Sequence, residues 1–123
     1  MGVDYGKKRV GVAISDETGK VAFPHSVIAN NEELAEIIAE ICKENKAKEV
    51  IIGESNNLDG KPNLLMADIH KFRDALSKIC KIPIHYEPEF WSSVQAGRWQ
   101  GRTEKLDASA AAIILQSYLN RKS

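Results

Sequence analysis

The sequence predicts an α/β fold: a mixed five-stranded sheet, made of an antiparallel three-stranded meander plus two parallel strands, with helices on both faces. Three observations predict it. Short β-branched segments share the chain with longer segments whose apolar residues recur at three-and-four spacing, the two periods of strand and helix. The first three strand-like segments follow one another through tight turns, which makes them antiparallel neighbours. Each later strand is preceded by a helix, and a right-handed helical crossover returns the chain parallel to the first strand.

The elements follow in order. Residues 1–4 and 9–15 read as strands joined by the turn Tyr5-Gly6-Lys7-Lys8, and Asp16-Glu17-Thr18-Gly19 is turn chemistry before a third strand over residues 20–28. Pro24 inside that strand predicts an edge position or a bulge, because proline donates no ladder hydrogen bond. Asn31 can cap a helix that carries Leu34, Ile37, Ile38, Ile41 and Cys42 on one face and ends near Asn45. Residues 49–53 form a fourth strand and 54–62 a polar loop. A second helix, from 63 to 78 or 80, presents Leu65, Ile69, Phe72, Leu76 and Ile79 on one face. Residues 82–86 read as the fifth strand. After the Glu87-Pro88-Glu89 loop, Ser92 or Ser93 starts a short helix to Arg98, and Asp107 opens a last helix to about Asn120.

With 123 residues, one domain over 1–123 is expected, and 43% hydrophobic with 28% charged residues is the composition of a chain that buries a core. The longest apolar run, residues 110–115, falls far short of the roughly 20 residues that span a bilayer. No basic-then-apolar leader opens the chain, so a cytoplasmic protein without membrane attachment is expected. Cys42 and Cys80 are too far apart in sequence for a zinc-type or redox motif and read as core thiols. Seventeen basic residues balance seventeen acidic ones, so no global field draws a polyanion and any such binding is local. The local basic regions are the two chain ends: Lys7, Lys8 and Arg9, and then Arg98, Arg102, Lys105, Arg121 and Lys122.

Acids gather at one expected edge of the sheet. Asp4 ends the first strand, Glu54 follows the fourth, Glu87 and Glu89 follow the fifth, and Asp107 starts the last helix. Carboxylates brought together without a cation repel one another, so the set makes sense around a hard divalent ion, Mg²⁺ or Mn²⁺. Two such ions about 3.5 to 4 Å apart activate a water and stabilise the leaving oxygen in phosphodiester hydrolysis. Taken singly, each acid reads more readily as a turn or cap residue; that four elements each contribute acid to the same edge is the more informative fact. His25, His70 and His85 lack metal-ligand spacing, and the chain has no nucleophile elbow and no phosphate-binding GxxxxGK[ST] loop. His85, near the acidic loop, is a candidate for proton transfer.

Residues 3–13, Val-Asp-Tyr-Gly-Lys-Lys-Arg-Val-Gly-Val-Ala, resemble the D-x-G-x-K-R-[IV]-G-V-A signature of the YqgF family. That family comprises Holliday junction resolvases of ribonuclease H-like fold, also linked to small-subunit ribosomal RNA maturation. Three later stretches agree in order. Ile51-Ile52-Gly53 with Asn57-Leu58-Asp59-Gly60 is similar to the family's V-V-G-L-P-x-N-x-D-G, and Glu89 with Ser92-Ser93-Val94-Gln95-Ala96 to its D-E-R-[LF]-[TS]-[TS]-x-x-A. Residues 105–119 are similar to its closing helix, K-x-x-D-x-x-A-A-x-x-I-L-Q-x-[YF]-L. The resemblance implies a divalent-metal-dependent nuclease with Asp4, Glu89 and Asp107 as catalytic, metal-binding acids. Glu54 and Glu87 are possible additional acids, Glu54 a further metal candidate that stands where RuvC-type resolvases of the same fold also carry an acid. Lys7, Lys8, Arg9, Arg98, Arg102 and Lys105 become nucleic-acid contacts, Gly6 allows close backbone approach, and alanines 108 and 110–112 let the last helix pack tightly.

The chain also departs from the pattern. Glu54-Ser55-Asn56 replaces Leu-Pro-x, Pro88 and Phe90 replace the Asp and Arg flanking the family's glutamate, and the loop over 99–104 is short. The expected substrate is structured nucleic acid, a ribosomal RNA precursor or a Holliday junction, handled by a monomer or a homodimer. The altered surroundings of Glu89 motivate an alternative, a weak or inactive nuclease-like domain that binds RNA or an assembly partner. Trp91 and Trp99, beside Arg98 and Arg102, are candidates either for base stacking or for covering the core.

Overall fold

Alternation along each strand decides which residues meet which helix. The computed structural model describes residues 1–54, 65–87 and 104–122, with backbone alone for 104–108 and 122. Five strands, β1 (Gly2–Tyr5), β2 (Arg9–Ser15), β3 (Ala22–Ala29), β4 (Val50–Gly53) and β5 (Ile84–Glu87), form one sheet in the order β3-β2-β1-β4-β5. The β1–β2 and β2–β3 pairs are antiparallel, and the β1–β4 and β4–β5 pairs are parallel. The predicted mixed sheet is therefore observed, with β1 at its centre.

Helices α1 (Leu34–Glu44) and α2 (Leu65–Ile79) cover one face, and α3 (Glu104–Lys122) covers the other. Val3, Val10, Val12, Val50 and Ile52 point to α1 and α2 and meet Leu34, Ile38, Met66, Ile69, Phe72 and Leu76. Their intervening neighbours Ala13 and Ile51 point the other way, to Ala111, Ile114 and Leu115 of α3. Each fully buried Ile or Leu, such as Ile38 or Leu76, stabilises the fold by about 1.5 to 3 kcal/mol.

Several boundaries differ from expectation for physical reasons. β3 begins at Ala22 because the Asp16 carboxylate accepts hydrogen bonds from the amides of Lys20 and Val21 and from the Thr18 hydroxyl, which holds residue 20 in the turn. The same bonds, the Lys20 amide foremost, keep the Asp16 carboxyl below its ordinary range. The bulge predicted at Pro24 is present on this edge strand: Val12 pairs with Ser26 and Ala13 with Pro24, so His25 is the extra residue. Asn31 does not cap α1. It forms a turn just before it, accepting the Glu33 amide on its side chain at 2.9 Å, and α1 starts at Leu34 with no side-chain cap. Ile79 is 48% exposed and falls outside the apolar face assigned to it. β5 starts at Ile84, where parallel pairing with Val50 begins, and so Glu87 ends the strand rather than opening a loop. The expected short helix at 92–98 lies outside the described residues. Among the described residues, no helix is long and apolar enough to cross a membrane.

Candidate active site

Asp4 is the third residue of the central strand, and alternation with Val3, whose side chain is in the α1–α2 core, turns it to the α3 face. It is half-buried, and its partner across β1–β2 is Gly11, which adds no side chain beside it. Two residues earlier on the same face, Gly2 is where α3 comes closest: a Cβ there would lie 2.7 Å from Leu115 Cβ and 2.8 Å from the Ala111 carbonyl oxygen. The sheet thus fixes Asp4 and the small residues of α3 fix the helix against it.

The turn after Asp4 is tied down from two sides. A Cβ on Gly6 would meet the Arg9 carbonyl oxygen at 2.5 Å, so the tight turn requires glycine. Asn30 at the end of β3 donates from its side chain to the Gly6 carbonyl at 2.7 Å, and its amide donates to the Lys8 carbonyl at 3.0 Å. Lys7, Lys8 and Arg9 are exposed on this anchored turn, at the same sheet edge as Asp4. A cationic surface next to a strand-end carboxylate is a geometry suited to a phosphate backbone.

Glu54 and Glu87 reach the same edge but not the same surroundings. The Glu54 amide donates to the Glu87 carbonyl at 2.9 Å, which aligns the ends of β4 and β5. Glu54 is half-buried and acts electrostatically on Tyr86, whose side chain packs on the α1–α2 face. Burial raises the Tyr86 phenol, and Asp74 and Glu54 push the same way against the opposing charge of Arg73. Tyr86 also hydrogen-bonds His70 Nδ1 at 2.8 Å, which gives that histidine a structural partner. Glu87 instead faces α3 and is 2% exposed, with the Ser117 hydroxyl donating to Oε2 at 2.9 Å and Arg121 paired with Oε1. Its charge is balanced by the protein itself. The sequence hid this because the partners lie 30 and 34 residues away, and the only hint was a basic residue near the end of α3.

The other predicted residues divide as follows. Asp107 and Lys105 belong to the first turns of α3, which begins at Glu104, so Asp107 is inside the helix and not its cap. Asp107 stands one turn before Ala111, the residue whose carbonyl abuts Gly2. Glu89, Arg98, Arg102, Trp91 and Trp99 lie outside the described residues. His85 shares the α3 face with Glu87 but is committed elsewhere: Nε2 is 3.2 Å from Glu49 Oε2, and the ring stacks on Tyr118 at 5.8 Å. Among the described residues, no group of three or more His, Cys, Asp or Glu side chains is placed to hold a metal.

The model of one family, RuvX, described as Holliday junction resolvase, matches residues 1–121. The chain belongs to the RuvX family. RuvX relatives of known name cover it almost end to end. A protein of Maridesulfovibrio salexigens is 34% identical over 131 residues, covering 98% of this chain and 97% of the relative. One of Halothermothrix orenii is 36% identical over 130 residues, covering 98% and 93%. Both carry the name "Putative pre-16S rRNA nuclease". Among solved structures, Thermus thermophilus RuvC in complex with Holliday junction substrate matches with a TM-score of 0.62 at 13% identity, covering 98% of this chain and 92% of that one. A second structure of that RuvC gives 0.60 at 14% identity. At such identity the likeness is one of fold, and the fold of this RuvX chain is ribonuclease H-like, as its motifs imply.

Proposed function

We propose that this RuvX chain, acting as one nuclease domain over residues 1–123, is a divalent-metal-dependent endonuclease that cuts a structured ribosomal RNA precursor. The carrying observation is Asp4, set rigidly at the end of the central strand and flanked by the exposed, anchored cations Lys7, Lys8 and Arg9. Relatives about one-third identical over nearly the whole chain bear a pre-16S rRNA nuclease name, which favours RNA; the RuvC likeness, at 13% identity, carries fold alone.

The described donors are carboxylate oxygens, which suit Mg²⁺ or Mn²⁺. In this reading Asp4, Glu89 and Asp107 hold the metal, with Glu54 as a fourth candidate. Glu87, already neutralised by Arg121, secures α3 instead. A bound ion of this class supplies an activated water and charge stabilisation at the leaving oxygen. The chain's own part is orientation: Asp4 is held by its pairing with Gly11 of β2, just past the β1–β4 pairs at Gly2 and Val3, and Lys7, Lys8, Arg9, Arg98, Arg102 and Lys105 position phosphates. The enzyme works in the cytoplasm as a monomer or homodimer.

Single-turnover cleavage of two labelled substrates, a precursor 16S rRNA fragment and a four-way DNA junction, tests the proposal in the presence of Mg²⁺ or Mn²⁺. Cutting of the RNA, abolished by chelation, is the expected result. Cutting of the junction alone would make the chain a resolvase. Salt-sensitive, metal-independent RNA binding with neither substrate cut would make it a binding domain.

A further inference from the structure

At the edge of the sheet opposite the acidic one, the two cysteines of the chain meet. Cys42, on α1, is 3% exposed, and its thiol donates to the Met1 thioether sulfur at 3.6 Å. Cys80 is the residue after α2, its amide bonded to the Leu76 carbonyl at 2.8 Å, and it is half-buried against the same apolar cluster that holds Cys42. The two thiols are close enough to feel each other's charge. Both also line one cleft of about 580 Å³ between the C-terminal ends of α1 and α2. Lys43, Lys46 and Lys81 stand at its walls with Glu36 and Glu40, all exposed, and the carboxyl ends of two helices close it.

We infer that Cys42 and Cys80 form a reversible disulfide that staples α1 to the α2–β5 junction, made by exchange with a low-molecular-weight disulfide that enters this cleft. Glutathione disulfide is a reagent of this class, and half-buried Cys80, not the buried Cys42, is the sulfur it reaches first. Burial pushes the Cys42 thiol up to about 12, with the Cys80 neighbour adding to the effect, so Cys42 reacts second. In the first step the Cys80 thiolate attacks one sulfur of the small disulfide, whose S–S bond breaks to release one thiolate. In the second, Cys42 surrenders its proton and attacks Cys80 Sγ, displacing the other small thiolate. Two protein thiols are oxidised to one disulfide, one small disulfide is reduced to two thiols, and the protons leave on the released thiols.

Incubation of the folded wild-type protein with glutathione disulfide, followed by intact-mass measurement and peptide mapping, reads this directly. The expected product has lost two hydrogens and yields a linked Cys42–Cys80 peptide that dithiothreitol reverses. Because the staple closes a loop of roughly 40 residues, its formation raises the thermal midpoint by roughly 10 °C. Cys42→Ser stops at the mixed disulfide on Cys80, and Cys80→Ser stays unmodified. Wild type that accumulates only the Cys80 adduct, or that remains fully reduced, overturns the inference.

Discussion

Glu87 is a carboxylate taken out of water at the end of β5, and its two oxygens are shared between Ser117 and Arg121. The Arg121 side chain is itself 58% exposed, so the pair is only half desolvated and its loss sits below the range for fully buried pairs. Arg121→Ala is expected to cost about 2 kcal/mol in urea denaturation, because a buried charge is left without its cation. Glu87→Gln should cost less, about 1 kcal/mol, since a neutral amide keeps a partner in Ser117. Equal losses in the two variants would place the energy in packing and not in charge. At this scale Asp4 differs from Glu87 in exposure: it is half-buried at the mouth of the site, whereas Glu87 is closed off by α3.

Among the elements, the contact of β1 with α3 decides whether Asp4 and the first turns of the helix stay in register. Gly2→Ala is expected to lose about 2 kcal/mol of stability, since its Cβ would sit 2.7 Å from Leu115 Cβ and 2.8 Å from a helix carbonyl that cannot rotate away. A circular-dichroism melt checks this, and an unchanged midpoint would mean that α3 can slide on β1. Much of this element structure was legible beforehand. The β1–β2 hairpin, the edge bulge at Pro24 and the apolar faces of α1 and α2 all follow from turn chemistry and period. What was not legible depends on contacts between distant segments. The register that carries Glu87 into β5, the start of α3 ahead of Asp107, and the meeting of Cys42 with Cys80 are set by packing between elements, for which local periodicity holds no signal.

Over the whole molecule, the sheet separates two regions of different chemistry. One edge gathers Asp4, Glu54, Glu87 and the cationic turn of Lys7, Lys8 and Arg9; the other carries the thiol cleft at the helix carboxyl ends. With charges balanced overall, the proposed RNA binding rests on a few phosphate contacts at the first edge, so affinity should fall with salt. Among the described acids, Glu87 is buried against Arg121 and Glu54 lies within electrostatic reach of Tyr86. Asp4 is left as the described acid on which the proposed catalysis turns. The most direct test is the Mn²⁺-dependent single-turnover cleavage rate of precursor 16S rRNA by Asp4→Asn beside wild type, with matched thermal midpoints. A loss of roughly a thousandfold, about 4 kcal/mol of transition-state stabilisation, is the predicted result. Cleavage by the folded variant at the wild-type rate would contradict the account.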